Sequence, residues 1–458
     1  MTDLTFAPDQ YTVHTLSRDG QTLTYRAFEN IPYALHPDDA AFQRLSIYVP
    51  EAFYAGQSVH GYTLSTAPIF LPNTVGGYMP GPQEAPGVNF LGETNATFYA
   101  LLHGYVVVSP GVRGRGMTNA DGQNIGVAPA ALCDLKAAVR FLRHNATTVP
   151  GDTEKIISNG TSAGGALSSL LASTGNHPDY APYLAAMGAA DERDDIFAAS
   201  CYCPITNLDH ADMAYEWEFH TLLEYHMVTF LPPRDGEKEP RKLNKDGLLT
   251  AHQQTLSAQL RDAFQPYLQS LPFWTGEPEA ELRELIENTV LASAQKALDA
   301  GAPLADDPAV TAWLTVDGGQ ATRMDWDGYI RFRTRMKETP AFDALNGQSP
   351  ENELFGTAHI PSQHFTAVYS DENRADAHII RMMNPMTYHA DTHATLASHV
   401  RLRHGSMDRD TSLAISALLY LSFQKAGVDV NLEYPWGLPH AGDYDLDELF
   451  AWIDSLCA

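Results

Sequence analysis

The feature that most constrains the fold is an alternation of strand and helix patterns that occurs at both ends of the chain and stops in the middle. Before about residue 205, short apolar runs typical of strands alternate with helical stretches, and this pattern resumes after about residue 395. Alternating units of this kind build a mostly parallel sheet covered by helices. The two ends therefore predict one α/β sheet whose strands come from distant parts of the sequence.

The individual elements follow from the period of the apolar residues. A period of two or a short β-branched run predicts a strand, and a period of 3.6 predicts a helix. Strands are expected at 45–49, 61–65, 105–108, 155–158, 197–203, 398–403 and 428–434. Helices are expected at 130–142, 163–174, 411–426 and 446–456.

The middle of the chain has a different character. Residues 205–395 contain polar helical stretches near 253–265 and 279–298 but no repeated strand–helix units. An insertion of this length between two strands is most simply a cap over the carboxyl edge of the sheet, where open α/β folds bind ligands. The expected division is a core of residues 1–204 and 396–458 with an inserted cap, or lid, of residues 205–395.

The net charge and the hydropathy of the chain argue against several classes of partner. The 458 residues carry 29 Lys and Arg against 56 Asp and Glu, a formal charge of −27. This excess of acid argues against a nucleic-acid partner or an anionic membrane surface, because both need clustered cations. No apolar run is long enough to cross a bilayer, and the first residues lack the pattern of a signal peptide, so a cytoplasmic monomer is expected.

Four cysteines are too few for a disulfide scaffold, and we expect them to be small buried hydrophobes in a reducing compartment. Cys201 and Cys203 flank Tyr202 and would face the same way on a strand. A thiol pair or a metal site at these two positions is the alternative interpretation.

A motif that carries chemistry lies between a predicted strand and a predicted helix. The segment GTSAG at 160–164 matches G-x-S-x-G and follows the strand at 155–158 directly. In such a turn the serine takes a strained conformation that lifts its hydroxyl above the sheet, and the small neighbours allow strand and helix to pack closely. Ser162 is therefore the candidate nucleophile.

A serine hydroxyl needs a base, and the base needs an acid that orients it. In this type of fold they follow the serine in the order acid, then histidine, each in a loop after a late strand. His440 lies in such a loop and is the predicted base. Asp408 or Asp410 is the acid, and spacing alone does not choose between them; the unused one could cap the following helix. His404 is a rival base, but it lies where the acid is expected.

An oxyanion formed on the substrate needs two backbone donors. Ala163, at the start of the helix after the serine, is expected to supply one N–H group. Gly76 or Gly77, in the glycine-containing loop at 70–78, is expected to supply the other. A second glycine-rich loop at 111–116 lacks the Lys-Ser/Thr pair of a phosphate-binding loop, which argues against nucleotide binding.

These residues resemble the bacterial tannases (tannin acyl hydrolases) of the α/β-hydrolase superfamily. The resemblance rests on GTSAGGA at 160–166, DRDTS at 408–412 and GLPH at 437–440, and the length and central insertion are also similar. The 32-residue interval between the first Asp of DRDTS and the His is the more specific part of the match. The resemblance implies an α/β-hydrolase core with a cap, and it implies that Asp408 is the acid of the triad.

The resemblance also implies a set of substrate-binding residues. Asp410 would bind one hydroxyl of a galloyl group, and Lys337 and Glu351, fourteen residues apart in the cap, would bind the others. Ile205 and Pro350 would sandwich the aromatic ring. Charged acceptors bind phenolic hydroxyls more strongly than neutral ones, so such a site would reject analogues that lack them.

The expected function is therefore a serine esterase that hydrolyses galloyl esters, and depside bonds as a further possibility, with no cofactor and no metal ion. The expected ligand is a small phenolic ester. Two alternatives stay open. The first is a feruloyl esterase or broad carboxylesterase with the same triad, and the second is a non-catalytic binding protein with the hydrolase fold.

Overall fold

A sheet of nine strands forms the centre of the part of the chain that the computed structural model describes, which is residues 3–89, 92–231, 241–369 and 373–457. Its strands are β1 (Thr12–Arg18), β2 (Gln21–Pro32), β3 (Arg44–Pro50), β4 (Pro68–Pro72), β5 (Val106–Pro110), β6 (Asp152–Thr161), β7 (Ala198–Tyr202), β12 (His399–Arg403) and β13 (Asp429–Glu433). Two separate hairpins pair β8 (Glu224–Leu231) with β9 (Arg241–Leu248) and β10 (Leu314–Asp317) with β11 (Gln320–Met324).

The helices in the described residues are α1 (Ala96–Leu102), α2 (Ala130–His144), α3 (Ala163–Ser173), α4 (Ala181–Ala186), α5 (Leu208–Phe219), α6 (Ala251–Ser270), α7 (Pro278–Asp299), α8 (Pro308–Thr311), α9 (Trp326–Arg333), α10 (Pro350–Leu354), α11 (Ala377–Met382), α12 (Leu413–Lys425) and α13 (Leu446–Cys457). β4, β5 and β7 are buried at every position, as expected of central strands that are covered on both faces. None of the helices within these described residues is long and apolar enough to span a membrane.

The order of the strands locates a crevice. Across the sheet the order is β1-β2-β3-β5-β4-β6-β7-β12-β13, and the pairs from β5 onward are all parallel. The chain passes from β4 to β5 on one side and then returns to β6 on the other side of β4. Ligands of open α/β sheets bind at the carboxyl ends of strands where the order reverses in this way. The loops after β4 and β6 therefore flank the expected binding crevice.

The two strands that flank the predicted insertion are neighbours in the sheet. β7 and β12 are neighbours in register, with Ala198 opposite His399, although nearly two hundred residues separate them in sequence. The intervening segment contains α5 to α11 and both hairpins. This mixed α/β architecture, with small sheets and helices added to the main sheet, confirms the predicted fold class. The division at residues 205 and 395 stays a prediction.

Two details differ from the expected elements. Residues 61–65 form turns rather than a strand, because Gly61 has a φ of 87° and the Thr63 N–H donates to the Thr66 hydroxyl. A hydroxyl that bonds to nearby backbone competes with sheet pairing. The second difference is at the start of α12, where Ser412 rather than Asp410 caps the helix by accepting from the Ala414 N–H group.

Gly160→Ala tests the close packing around the end of β6. A Cβ at Gly160 would lie 2.4 Å from the Gly164 carbonyl oxygen, so the substitution should lower the free energy of unfolding by about 1–3 kcal/mol or prevent folding. Gly76→Ala is the matched control, because a Cβ there meets nothing within 4 Å. Thermal unfolding of both variants is the measurement, and equal melting temperatures would contradict this description of the packing.

Candidate active site

The turn between β6 and α3 has the backbone expected of a nucleophile elbow. Ser162 has a φ of 60° and a ψ of −123°, and it is half-buried. A positive φ is rare for a residue with a side chain and marks local strain that the surroundings must impose. The Ser162 N–H group donates to the Tyr202 carbonyl at 2.9 Å, which ties the turn to the end of β7.

Close backbone contacts explain the glycines of the motif. A Cβ on Gly164 would lie 2.5 Å from Asn73 Oδ1, and a Cβ on Gly165 would lie 2.5 Å from the Tyr202 carbonyl. Real Cβ atoms do not make contacts this short, so the positions require glycine. The small residues around Ser162 therefore have the packing role that the motif predicts.

The loop after β4 is hydrogen-bonded to the start of α3. The Gly164 N–H donates to the Val75 carbonyl at 3.0 Å, and Asn73 Nδ2 donates to the Gly164 carbonyl at 3.1 Å. These bonds bring Gly76 and Gly77 to the same edge of the sheet as Ala163, the first residue of α3. The structure therefore brings the three predicted oxyanion residues into one region, while the assignment of the donors stays a prediction.

An imidazole and a carboxylate pair next to this turn. His440 Nδ1 lies 2.7 Å from Asp408 Oδ2, and the carboxylate is fully buried while the His440 side chain is 25% exposed. The Asp410 N–H group donates to Asp408 Oδ1 at 2.8 Å. The geometry thus selects Asp408 rather than Asp410 as the partner of His440, which is the choice that the resemblance implied.

A second imidazole contacts the same carboxylate. His404 is fully buried, and its Nε2 lies 3.0 Å from Asp408 Oδ2, while its Nδ1 lies 2.9 Å from Ser416 Oγ. Burial by itself would raise the pKa of Asp408, but the two imidazoles favour its ionised form and hold its pKa well below the usual value. His404 is therefore a neighbour of the candidate acid, and the choice of His440 rather than His404 as the base stays a prediction.

The other ring nitrogen of His440 faces a thiol. Cys203 Sγ lies 3.9 Å from His440 Nε2 and 3.4 Å from the Ala441 carbonyl oxygen. Burial would lower the pKa of His440, but the negative charge of Asp408 outweighs it and raises this pKa well above the usual value, with smaller contributions from Cys203 and Asp410. Among the described residues, Cys203, Asp408 and His440 are the one group of three side chains whose donor atoms could together reach a metal ion.

The His440 loop also packs against the elbow. Gly442 contacts Thr161 so closely that an added Cβ would lie 1.8 Å from the Thr161 hydroxyl. The loop that carries the imidazole is thereby adjacent to the residue before Ser162. Pairing of the Ser162 hydroxyl with His440 stays a prediction.

The predicted hydroxyl-binding residues form a cluster of acidic and basic side chains, and the charge of Asp410 in this cluster acts on His440. Lys337 Nζ lies 3.0 Å from Asp410 Oδ1, and Glu351 is buried. Burial would lower the pKa of Lys337, but Asp410 and Glu351 raise it. Burial raises the pKa of Glu351, and the positive charge of Lys337 opposes this change. The structure brings all three residues together although they come from separate segments.

The two predicted ring-binding residues differ in burial and in their contacts. Ile205 is buried, and its N–H group donates to the Ser162 carbonyl at 3.4 Å. Pro350 is exposed and begins α10, directly before the buried Glu351. The sandwich of an aromatic ring between Ile205 and Pro350 stays a prediction.

Two residues near the cluster were not found by the sequence analysis. The Tyr78 hydroxyl donates to the Ile205 carbonyl at 3.0 Å, and Arg115 Nε donates to the Gly77 carbonyl at 2.6 Å. Arg115 also forms an ion pair with Glu353 on α10. Arg115 belongs to the second glycine-rich loop, so the available signal was a lone arginine between glycines, which has no specific interpretation without the fold.

The sheet, the strained serine between strand and helix and the buried carboxylate–imidazole pair define the α/β-hydrolase class. The BD-FAE family model matches residues 76–211. The crystal structure of the tannase from Lactobacillus plantarum is similar, with 41% identity, 100% of both chains covered and a TM-score of 0.94. A comparison with curated protein sequences gives no match.

Two further solved structures are similar over nearly the whole chain. The crystal structure of Fusobacterium nucleatum tannase has 41% identity, covers 100% of both chains and has a TM-score of 0.92. A tannin acyl hydrolase in complex with ethyl gallate has 42% identity, covers 99% of both chains and has a TM-score of 0.90. The chain therefore belongs to the tannase (tannin acyl hydrolase) family, and the predicted resemblance is confirmed.

Asp410→Asn tests the electrostatics of the imidazole. A general base must be neutral, so kcat/KM should fall as the pH drops through the raised pKa of His440. Removing the charge of Asp410 should lower that pKa and move the acid limb of the profile to lower pH. The measurement is kcat/KM against pH with p-nitrophenyl acetate, whose acyl group has no phenolic hydroxyls.

Asp327→Asn is the matched control, because it removes the same charge from an exposed position on α9. The acid limb of its profile of kcat/KM against pH should coincide with that of the unaltered enzyme. An unchanged limb in Asp410→Asn, or a shift to higher pH, would contradict the electrostatic description.

Proposed function

We propose that the chain is a serine esterase that hydrolyses galloyl esters and releases gallate. The observation that carries the proposal is the meeting of Lys337, Asp410 and Glu351 close to His440, whose pKa the charge of Asp410 helps to raise. A 3,4,5-trihydroxyphenyl ring carries its hydroxyls on the side away from the ester. A site with charged partners at one end and a serine at the other matches that shape. The similar tannin acyl hydrolase in complex with ethyl gallate supports the same substrate class.

In the proposed mechanism, the contact of Asp408 with Nδ1 fixes the tautomer of His440 that leaves Nε2 as the base. His440 takes the proton of the Ser162 hydroxyl as its oxygen attacks the ester carbonyl. The imidazolium that forms is stabilised by the carboxylate. The N–H groups of Ala163 and of Gly76 or Gly77 bind the tetrahedral oxyanion.

The second half of the reaction uses the same groups. His440 gives its proton to the departing alcohol, which leaves a galloyl ester on Ser162. A water molecule, activated by His440, then attacks this ester, and collapse of the second tetrahedral intermediate releases gallate and restores the serine. The same steps apply to depside bonds, in which the leaving group is a phenol.

Ser162→Ala and His440→Ala test the proposed nucleophile and base. Each variant should lower kcat on methyl gallate by roughly 10⁴-fold or more, because removing either member of such a unit removes most of the catalysis. Initial rates and melting temperatures are the measurements. Turnover within tenfold of the unaltered enzyme, in a variant that remains folded, would contradict the assignment.

A substrate series tests recognition of the hydroxyls. Methyl gallate, methyl 3,4-dihydroxybenzoate and methyl benzoate should show decreasing kcat/KM, with a total loss of roughly 10³-fold or more, because absent hydroxyls leave buried polar groups unpaired. Glu351→Gln should lower kcat/KM for methyl gallate by about 10- to 100-fold, as expected for a lost charged hydrogen bond.

The same variant should leave kcat/KM for p-nitrophenyl acetate within about twofold, since that substrate has no ring hydroxyls on its acyl group. Equal losses of kcat/KM on both substrates would show that Glu351 does not bind the ring hydroxyls. Faster turnover of ethyl ferulate than of methyl gallate would instead favour the feruloyl esterase alternative.

A further inference from the structure

A buried thiol that the proposed mechanism does not use lies against the imidazole. Cys203 is completely buried, follows the end of β7 and has a φ of 35°. This left-handed backbone turns the residue away from strand alternation, so Cys203 does not share the environment of Cys201. Its Sγ instead faces the His440 loop, 3.9 Å from Nε2. The strained turn thus directs a soft ligand atom toward the imidazole nitrogen that Asp408 leaves unused.

We propose that Cys203 Sγ and His440 Nε2 form a binding site for a thiophilic divalent cation such as Zn²⁺ or Cd²⁺. Zinc bonds of about 2.3 Å to sulfur and 2.0 Å to nitrogen at a tetrahedral angle place the two ligand atoms roughly 3.5 Å apart. The observed 3.9 Å requires a movement of only a few tenths of an ångström. Water molecules complete the coordination, and the Cys203 thiol releases its proton to the solvent as the metal–sulfur bond forms.

Asp408 has a supporting role in this site rather than that of a ligand. Its Oδ2 already contacts His440 Nδ1 at 2.7 Å, on the far side of the ring from Nε2. A carboxylate behind a metal-binding histidine fixes the tautomer that leaves the outer nitrogen free to bind, and it makes that nitrogen a stronger ligand. The negative charges of Asp408 and Asp410 also favour a cation near the ring.

Occupation of the site would switch off the esterase, a consequence that rests on the proposed function. The metal would take the Nε2 lone pair, and His440 could then not remove the Ser162 proton. Binding itself does not depend on catalysis, because neither ligand atom belongs to the serine. Ser162→Ala should therefore bind the cation as tightly as the unaltered chain, which separates this proposal from the proposed function.

The other thiols provide internal controls. Cys133, Cys201 and Cys457 are also free and buried, but none of them belongs to a three-ligand group in the described parts of the chain. Burial raises the pKa of both the Cys201 and the Cys203 thiols, and only at Cys203 does the neighbouring His440 oppose this change. Cys201 is two residues from Cys203, so Cys201→Ala is a matched control for loss of a neighbouring thiol.

The experiment is a titration of the purified full-length protein with Cd²⁺. Two signals are measured at each addition: the ultraviolet absorption of the thiolate–cadmium bond and the rate of methyl gallate hydrolysis. The unaltered chain and Cys201→Ala should each bind one equivalent with this absorption and lose activity in parallel. Cys203→Ser and Cys203→Ala should lose the absorption and need at least tenfold more Cd²⁺ for half inhibition. His440→Ala should bind at least tenfold more weakly.

Two results would overturn the proposal. The first is that both Cys203 variants give the same absorption and inhibition curves with Cd²⁺ as the unaltered chain. The second is that Cd²⁺ inhibits the enzyme at concentrations below those at which the absorption changes. Two Cys203 variants are used so that poor folding of one does not decide the outcome. If Ser162→Ala kept its esterase activity while the Cys203 variants lost cadmium binding, the proposed function would fail and the metal site would stand.

Discussion

A buried carboxylate is costly unless partners replace its water, and Asp408 takes its partners from several parts of the chain. His404 contributes from the same loop, and His440 from the last loop before the final helix. Arg333, at the end of α9 in the insertion, donates to the backbone carbonyl of Asp408. Core, insertion and C-terminal loop therefore meet at one residue, and the position of the imidazole depends on all of them.

Buried ion pairs connect the core to the cluster of Lys337, Asp410 and Glu351. Arg333 pairs with Glu218 and Arg335 pairs with Glu216, and all four side chains are almost fully buried. Both glutamates lie on α5, directly after the sheet strand that precedes the insertion. Removing one member of a buried pair leaves an uncompensated charge, so these pairs fix the segment after α9. Lys337 follows on that segment and reaches Asp410 from there.

The sequence was most informative about the site where a chemical role also requires a particular local backbone conformation. The strained turn at Ser162 could be predicted because the elbow needs small residues at fixed positions, and the order of the late loops predicted the pairing of His440 with an aspartate. The contacts of Cys203 and His404 could not be predicted, because they arise only when β7, β12 and the last loop become neighbours in the sheet. β1 was also missed, because every residue of β1 is exposed or nearly so, which leaves no buried alternation to detect. β2 was missed as well, although Leu23, Tyr25 and Ala27 are buried at alternate positions.

The central claim is that Ser162 is the nucleophile and that His440 activates it. The most direct measurement is labelling with a fluorophosphonate followed by mass spectrometric mapping of the modified peptide. The account predicts one adduct, on Ser162, that forms in step with loss of esterase activity and is absent from His440→Ala. An adduct on another residue with the same loss of activity, or full activity after Ser162 is labelled, would contradict it.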